Sequence, residues 1–277
     1  MISNLFKKPV LSNNFILNDR IHRKKIQINS LLNFFGNIYS QRGQDGILQE
    51  IFRRLEISQG TFVEFGAWDG VYLSNSRLLF EKGWAGVFIE GDEHKFSTLK
   101  NNYQNYNDVI LINRMVEIEG TNSLQSLLSQ YSNKNIDLLS IDIDGYDLEI
   151  LASLEKSNLR PTVIVIEGGS NFSPYLENKI PINIANNNIQ QPLSVIISVA
   201  KNLGYIPVCF HQDLYLVLNT HENLFNNISL EPVDLFFDSW NFSEHNHRKF
   251  VIENHKNNKL YEFELDLEPN KQLTNFL

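Results

Sequence analysis

The sequence predicts an α/β fold whose mostly parallel sheet is closed by an antiparallel last strand. From Thr61 to Ile166, short apolar runs alternate with amphipathic helical patterns, which is typical of βαβ units joined by right-handed crossovers. The later runs are continuously apolar, as expected for strands covered on both faces. The last two runs, Tyr205–Phe210 and Leu214–Leu218, are separated by so short a connection that they form a hairpin.

Each element follows from its own local pattern. The predicted strands before the hairpin are Phe62–Phe65, Ala85–Ile89, Val109–Ile112, Ile136–Ile141 and Thr162–Ile166. The predicted helices run from Ile47 to near Gly60, over Ser74–Lys82 with Ser74 as N-cap, over Glu93–Tyr103, from Asn122 or Ser123 through Leu128, over Leu148–Leu154, and over Pro192–Leu203. With the hairpin, the sheet is expected to have seven strands.

The pattern divides the chain of 277 residues into one domain and two extensions. Residues 1–38 are expected to be an N-terminal extension, residues 39–219 the α/β domain, and residues 220–277 a C-terminal extension that packs on the core. In that extension, short strands are expected near Phe250–Ile252 and Tyr261–Phe263. Residues 170–191 are too long for a plain connection, so we expect them to form a lid or a binding loop.

Composition excludes several classes of function. The chain has 24 basic and 32 acidic side chains and a net charge of -8, which argues against a nucleic-acid partner. Cys209 is the single cysteine, so neither a disulfide framework nor a zinc-thiolate cluster can form. No apolar run reaches the ~18 residues that span a bilayer, and the N-terminus lacks the apolar centre of a signal peptide. We therefore expect a cytoplasmic protein, and a homo-oligomer is left open.

The stretch Thr61–Gly70 carries the first functional motif. It places Glu64, Gly66 and Asp69 where the first strand turns into the following helix. Glycine allows a ligand to approach the main chain closely, whereas the acids would repel the phosphates of a dinucleotide. A ligand with an ammonium and a sulfonium charge suits them, which favours S-adenosylmethionine over NAD. The alternative is an ordinary βα turn.

Further residues complete the predicted cofactor site. Glu90 ends the second strand, where a carboxylate can accept both ribose hydroxyls. Val116 and Glu117 follow the third strand, where an adenine could lie, although an ordinary exposed loop is an equal alternative. The remaining predicted cofactor-binding residues neighbour these motifs: Gln44, Ser74 and Gly91.

Acids at the ends of the fourth and fifth strands are candidates for the chemical step. Asp142 and Glu167 could hold Mg²⁺ or Mn²⁺, which prefer oxygen ligands, or could position an acceptor hydroxyl and take its proton. Asp144 or Asp147 could instead cap the next helix. His211, in the hairpin connection, is a candidate general base, with a surface or capping histidine as the alternative.

Four segments together resemble the FkbM-type methyltransferases. They are Tyr39–Asp45, Phe62–Gly70, Gly83–Gly91 and Ile141–Gly145, and the resemblance covers about residues 39–219. It implies a Rossmann-like class I methyltransferase fold and an enzyme dependent on S-adenosylmethionine. In this family the reaction is commonly O-methylation of sugar or natural-product hydroxyls.

The resemblance also assigns residues. It implies that Gly66, Asp69, Glu90 and Asp142 surround the cofactor and that the loop with Gln44 and Asp45 folds over it. Asp144 stands where many relatives carry glutamate. The expected function is thus O-methylation of a sugar, glycan precursor or related small molecule. The alternatives are a methyltransferase-like binding module without activity and an NAD-dependent nucleotide-sugar enzyme.

Overall fold

The seven-stranded sheet has the predicted architecture. The computed structural model describes residues 29–129, 135–143, 145–170, 172–180 and 190–242. The strand order is β3-β2-β1-β4-β5-β7-β6, and β7 runs antiparallel to both of its neighbours. This order is that of the Rossmann-like class I methyltransferase fold. The strands are β1 Thr61–Phe65, β2 Ala85–Glu90, β3 Val109–Asn113, β4 Leu138–Ile141, β5 Val163–Glu167, β6 Tyr205–His211 and β7 Asp213–Leu218.

Helices connect these strands and cover the sheet. The α-helices of the described residues are α1 Gln44–Arg54, α2 Arg77–Glu81, α3 Glu93–Tyr103, α4 Leu124–Leu127, α5 Asp147–Ser153, α6 Leu193–Asn202 and α7 Pro232–Phe242. Short 3-10 helices span Ser30–Phe34, Leu154–Lys156 and Asn219–Phe225. The central strand β4 is buried along its whole length, as expected for a strand covered on both faces.

Helix α1 ends earlier than the pattern predicted. Glu56 takes a left-handed conformation with φ of 58°. The Glu56 N–H donates to the Arg53 carbonyl at 3.2 Å, and the Ile57 N–H donates to the Phe52 carbonyl at 3.0 Å. These two bonds form a Schellman motif, which ends the helix at Arg54 without a glycine.

Helix α2 begins three residues after the predicted start. Ser74 is not its N-cap, because that position is Ser76. The Ser74 hydroxyl donates instead to the Glu64 carboxylate at 2.7 Å, although its oxygen also accepts the N–H of Arg77 at 3.1 Å. A bond to a neighbouring strand therefore holds Ser74 outside the helix.

The described part of residues 220–277 contains α7, which the strand-like pattern did not predict. This helix contacts β6 and α6. The predicted strands near residues 250–252 and 261–263 lie outside the described residues. The domain boundaries at residues 38 and 219 stay a prediction. Among the described helices, none combines the length and the apolar character that crossing a membrane requires.

Candidate active site at the carboxyl edge of the sheet

Most of the predicted site residues lie at one edge of the sheet. The parallel strands β1, β2, β4 and β5 end there at Phe65, Glu90, Ile141 and Glu167. Because β7 is antiparallel, its first residue, Asp213, lies at the same edge, opposite Glu167. In open α/β sheets, ligands bind in the crevice outside the carboxyl ends of the strands, so this edge is the expected site.

The turn after β1 is fixed by close backbone packing. Gly66 has a φ of 71°, and a Cβ atom there would collide with the carbonyl oxygen of Asp142 at the end of β4. Trp68 and Leu73 also take left-handed conformations, at 50° and 61°. Residues other than glycine adopt this region at a cost and are typically held there by surrounding structure, frequently at ligand sites. The turn therefore has the backbone character of a binding loop.

Glu90 is oriented by two backbone donors. Its Oε2 accepts the N–H of Trp68 at 2.7 Å, and its Oε1 accepts the N–H of Asp92 at 2.8 Å. The side chain is buried, and each carboxylate oxygen has a second lone pair. An ionised carboxylate held in this way can still accept two further hydrogen bonds, which fits the vicinal hydroxyls of a ribose.

Asp69 organises the next part of the same turn. Its Oδ1 accepts the N–H groups of Val71 and Tyr72 at 2.9 and 2.8 Å. From α3, the Asn102 side chain donates to the Asp69 carbonyl at 2.8 Å, and the Tyr103 hydroxyl donates to the Gly70 carbonyl at 2.5 Å. The turn is thus tied both to itself and to a helix.

Glu64 lies deeper than the sequence pattern suggested. Its buried carboxylate accepts the Ser74 hydroxyl, the Ser76 hydroxyl and the N–H groups of Asn75 and Ser76. Burial raises the pKa of Glu64, while these four hydrogen bonds act in the opposite direction. The contacts of Glu64 and Ser74 in the structure are with the protein, and a contact of either with a cofactor stays a prediction.

Apolar surface is exposed next to the end of β2 and β3. Met115 is 65% exposed and Trp68 is 45% exposed, which is unusual for such large apolar side chains. Met115 packs beside Gly91, where a Cβ atom would meet its side chain. Val116 is half-buried against the core, and Glu117 is exposed, with its N–H donating to the Asn122 carbonyl at 3.0 Å. The sequence pattern places the adenine next to this surface, and that placement stays a prediction.

A segment that we call the strap, residues 37–45, crosses the other part of the edge. Asp45 is buried at the start of α1, and its Oδ2 accepts the N–H groups of Ile38, Tyr39 and Ser40 at 2.7, 2.7 and 2.9 Å. Gln44 accepts the Arg42 N–H through Oε1 at 2.6 Å and donates through Nε2 to the Asp213 carboxylate. The two residues that sequence analysis expected to fold over the site are therefore the anchors of the strap.

Arg42 was not predicted as a site residue, and it carries the positive charge of the strap. Burial lowers the pKa of the Arg42 guanidinium, while the negative charges of Asp213, Glu167 and Asp142 raise it. The side chain is therefore within electrostatic reach of the acids at the ends of β4 and β5 and at the start of β7. The signal that could have found it is the unusual number of hydrogen-bonding side chains between Tyr39 and Asp45.

Asp213 was also missed, because it looks like an ordinary turn residue in the sequence. Burial raises its pKa to about 6, although the hydrogen bond from Gln44 and the charge of Arg42 lower it.

The other acids at this edge have protein partners. Glu167 accepts a hydrogen bond from the side-chain amide of Gln190 at 2.7 Å. Asp147 accepts the N–H groups of Ile143 and Gly145, so it shapes the loop that follows β4 instead of capping α5. Asp144 lies outside the described residues.

His211 is at the end of β6 but is not exposed there. Its Nδ1 is 3.0 Å from the Ser239 hydroxyl of α7, and its ring packs edge-on against Phe35 and Phe242. The strand β7 separates β6 from β5, which places His211 beyond Asp213 when seen from Glu167. A role as general base stays a prediction for this buried side chain.

The predicted divalent metal site at Asp142 and Glu167 is not shown by the described residues, which do not include Asp144. In the part of the chain that the structure describes, no group of three or more His, Cys, Asp or Glu side chains is arranged to hold an ion. In addition, the guanidinium of Arg42 lies within electrostatic reach of both acids. A divalent cation would have to enter next to this positive charge. The predicted Mg²⁺ or Mn²⁺ site therefore has no support from the donor set.

A cavity of about 650 Å³ opens away from these acids. Its lining includes Phe34, Gln49, Arg53 and Trp84, and therefore lies along α1 and at the amino end of β2. None of the predicted site residues lines it. The cavity is thus separate from the candidate active site at the carboxyl edge of the sheet.

Comparison with known proteins identifies part of the chain. Residues 117–181 match the model of the methyltransferase FkbM domain. This segment contains β4, α5 and β5 with Asp142 and Glu167, and it does not contain the turn after β1. No curated protein matches the chain.

Solved structures with a similar course of the chain share little sequence with it. The citrinin polyketide synthase CMeT domain is 13% identical with a TM-score of 0.42, over 65% of this chain and 54% of that one. The N-terminal domain of EvdMO1 with SAH bound is 10% identical with a TM-score of 0.41, over 75% and 95%. The CurJ carbon methyltransferase is 12% identical with a TM-score of 0.40, over 65% and 55%.

The fold assignment rests on the strand order, and the identity of the enzyme rests on the domain match. The class I strand order, the oriented carboxylate of Glu90 and the exposed apolar surface at Met115 agree with a site for an adenosyl cofactor. Residues 117–181 are similar to part of an FkbM methyltransferase domain, and this similarity supports a methyltransferase that uses S-adenosylmethionine.

Proposed function

We propose that the protein methylates a hydroxyl oxygen of a neutral carbohydrate or a related neutral small molecule. The observation that carries this proposal is the set of carboxylates at the ends of β4 and β5 and the start of β7, next to the Gly66 turn. We call the ends of β1, β2 and β3 with their turns the donor half of the site. The acceptor half comprises Asp142, Glu167, Asp213 and the strap.

The donor half would hold the cofactor through its ribose and adenine. Glu90 would accept both ribose hydroxyls, since Trp68 and Asp92 already fix the direction of its carboxylate. Gly91, Met115, Val116 and Glu117 would surround the adenine, and the turn from Gly66 to Asp69 would lie against the methionine part. When bound, S-adenosylmethionine supplies an electrophilic methyl group next to the acceptor half.

The acceptor half would orient the nucleophilic oxygen. Methyl transfer proceeds by in-line displacement, so an enzyme contributes chiefly by holding the oxygen close to the methyl group and in line with the bond that breaks. Asp142 and Glu167 lie on neighbouring strands, so carboxylate oxygens on both could accept hydrogen bonds from an acceptor hydroxyl. Either could take the hydroxyl proton as the new C–O bond forms. His211 remains a further candidate for this step.

Electrostatics favours a neutral acceptor over an anionic one. The acceptor half contains four carboxylates, including Asp45 of the strap, and one guanidinium, so it has an excess of negative charge, and the whole chain has a net charge of -8. Phosphate and carboxylate groups would be repelled from such a site. Hydroxyl groups would donate to the carboxylates without this penalty.

Transfer of a labelled methyl group to a panel of sugars tests the proposal. The panel should pair neutral methyl glycosides with the corresponding uronates and amino sugars, and the product should be identified by mass spectrometry and NMR. We expect an O-methyl ether on a neutral sugar. Glu167→Gln should lower kcat/KM by about a hundredfold. The matched control is Glu155→Gln, an exposed acid on the 3-10 helix that follows α5, which should change it little.

Other outcomes would favour the alternatives. Methylation of nitrogen or carbon would contradict the choice of oxygen. Binding of S-adenosylhomocysteine without transfer to any member of the panel would favour a binding module without activity. Binding of NAD in preference to S-adenosylhomocysteine would favour a nucleotide-sugar oxidoreductase.

Composition supports a further part of the proposal. Cys209 is the single cysteine of the sequence, and it is buried on β6. Burial raises the pKa of its thiol, which keeps it in the unreactive protonated form. A cytoplasmic, reducing location suits such a chain. Fractionation of the native host followed by detection of the protein tests it, and recovery from an oxidising compartment would contradict it.

A further inference from the structure

Arg77, at the start of α2, lies where three segments of the chain meet. Its guanidinium carbon is 5.5 Å from the centre of the Tyr39 ring in the strap. The same atom is 5.3 Å from the ring centre of Phe80 on its own helix and 5.3 Å from that of Tyr103 on α3. All three distances are within the ~6 Å range of a cation–π interaction. The Arg77 side chain is only 13% exposed, and shielding from water strengthens such contacts.

The position of Arg77 is fixed from the donor half. The Tyr103 hydroxyl donates to the Gly70 carbonyl at 2.5 Å, so the ring that lies against Arg77 also holds the turn after β1. The Arg77 N–H donates to the Ser74 hydroxyl at 3.1 Å, and the guanidinium pairs with Glu81 one turn further along α2. Any change in the turn after β1 is therefore felt by Arg77.

Tyr39 is fixed from the other half of the site. Its N–H donates to the Asp45 carboxylate at 2.7 Å, within the strap. The strap is in turn bound to β7 through the hydrogen bond from Gln44 to Asp213. The contact between Tyr39 and Arg77 therefore joins the strap, which belongs to the acceptor half, to the donor half.

We propose that Arg77 is a positioning residue that couples the strap to the cofactor: through the Tyr39 ring, docking of the strap and binding of the cofactor strengthen each other. The proposal rests on the proposed function in one respect, because it assumes that the cofactor occupies the donor half. A cofactor that orders the turn after β1 also orders Tyr103 and Arg77, so less conformational freedom is lost when Tyr39 docks. By thermodynamic linkage, the docked strap raises cofactor affinity by the same factor.

The coupling has a consequence for methyl transfer. A docked strap keeps water from the acceptor half and holds Gln44 against Asp213, so the acceptor half is assembled when the methyl donor is present. A guanidinium suits the role of Arg77, because its flat surface can contact aromatic rings while its edge pairs with Glu81. An ammonium group is a point charge and cannot make all of these contacts at once.

Hydrogen exchange of the strap amides, together with calorimetry of S-adenosylhomocysteine, tests the proposal without knowledge of the acceptor. The N–H groups of residues 38–40 are bound to Asp45, so their exchange rate reports whether the strap is ordered. In the wild type, saturating S-adenosylhomocysteine should slow this exchange about tenfold. Tyr39→Leu should abolish the slowing and weaken S-adenosylhomocysteine about tenfold, whereas Tyr39→Phe keeps the ring and should resemble the wild type.

Arg77 is tested by the same two measurements. Arg77→Gln should match Tyr39→Leu, and Arg77→Lys should lie between Arg77→Gln and the wild type. Because both residues act through one contact, the variant with both Tyr39→Leu and Arg77→Gln should also lose about tenfold in affinity and no more. Tyr106→Leu is the matched control, because this 47% exposed ring packs on Phe80. It should change neither strap exchange nor affinity.

Two results would overturn the proposal. One is an equal slowing of strap exchange by S-adenosylhomocysteine in the wild type and in Tyr39→Leu, and this result can be obtained even if Arg77→Gln does not fold. The other is a double variant whose loss of affinity is the product of the two single losses.

A different result would refute the proposed function itself, namely failure of the wild-type protein to bind S-adenosylhomocysteine. The role of Arg77 in fixing the strap is then decided without a ligand. Tyr39→Leu should speed exchange of residues 38–40 at least about threefold, and an unchanged rate would contradict that role.

Discussion

The donor and acceptor halves of the carboxyl edge hold their carboxylates in different ways. In the donor half, Asp69 and Glu90 accept backbone N–H groups of the turns beside them. In the acceptor half, Asp213 accepts a hydrogen bond from Gln44, which is 169 residues away in the chain, and the charge of Arg42 in the same strap lowers its pKa. One half is built from local contacts and the other from contacts between distant segments.

This difference has a physical consequence. A carboxylate that accepts backbone donors is oriented as soon as its turn forms, and its position depends little on the rest of the fold. A carboxylate that depends on a distant cation is oriented only when both segments have docked, and its ionisation changes with any change in that cation. We therefore expect substitutions in the donor half to change cofactor affinity, and substitutions in the acceptor half to change the pH dependence of stability.

The largest effect is expected where the two halves meet, at Gly66. Gly66→Ala would place a Cβ atom against the Asp142 carbonyl at a φ of 71°. Left-handed backbone and overpacking together should lower the free energy of unfolding by about 4 kcal/mol in urea denaturation. Gly120→Ala is the matched control, because its φ is 89° with nothing near the added methyl group, and should cost about 1 kcal/mol. Equal losses in both variants would show that the contact with Asp142 is unimportant.

Cofactor affinity should depend most on Glu90. Loss of two hydrogen bonds from ribose hydroxyls to an ionised group is worth about 3 kcal/mol, so Glu90→Ala should weaken S-adenosylhomocysteine about a hundredfold in calorimetry. Glu90→Gln retains one acceptor oxygen and should lose about tenfold. Glu93→Ala, an exposed acid at the start of α3, is the control. Unchanged binding in Glu90→Ala would remove the ribose assignment.

The acceptor half should impose a pH dependence on stability through Asp213. Its pKa in the folded protein is about 6, above the ordinary value, so the ionised form is the destabilised one. This destabilisation is absent below about pH 4, grows as the pH rises from about 4 to about 6, and stays constant above that. Asp213→Asn should therefore gain roughly 2 kcal/mol of stability relative to the wild type between about pH 4.5 and pH 8, measured by urea denaturation.

Asp238 provides the comparison for that measurement. Burial also raises the pKa of Asp238 to about 6, although its carboxylate accepts the Asn29 N–H at 2.9 Å, far from the strap. Asp238→Asn should show a gain of the same sign but should leave kcat/KM unchanged, because Asp238 lies outside the acceptor half. If the stability of Asp213→Asn has the same pH dependence as that of the wild type, ionisation of Asp213 does not destabilise the folded protein. The account of the acceptor half would then be wrong.

The smallest effect is expected at Ser74. Its hydroxyl donates to Glu64, so Ser74→Ala should cost about 1 kcal/mol of stability and leave affinity for S-adenosylhomocysteine within about threefold. Ser126→Ala, which removes an exposed hydroxyl on α4, should cost less. A loss of affinity larger than the loss of stability can explain would place Ser74 in contact with the cofactor, as the sequence pattern predicted.

Sequence analysis found the elements and the donor half because both depend on local signals. The alternation of apolar runs located all seven strands, and the acid at the end of β2 marked Glu90. It placed the start of α2 too early because a serine before a helix usually caps it, whereas here Glu64 binds Ser74. It missed Arg42 and Asp213 because each residue is unremarkable until the strap crosses the sheet edge.

The sequence by itself determined the fold class and the class of the methyl donor. Hydrophobic periodicity is a pattern of neighbouring residues, and the glycines and acids of a βα turn act on the backbone beside them. Both signals can therefore be recognised from the sequence alone. The tertiary structure decided which acids interact with the positive charge of Arg42. Coulomb interactions depend on distance in space, and only the folded sheet brings residue 42 within electrostatic reach of residues 142, 167 and 213.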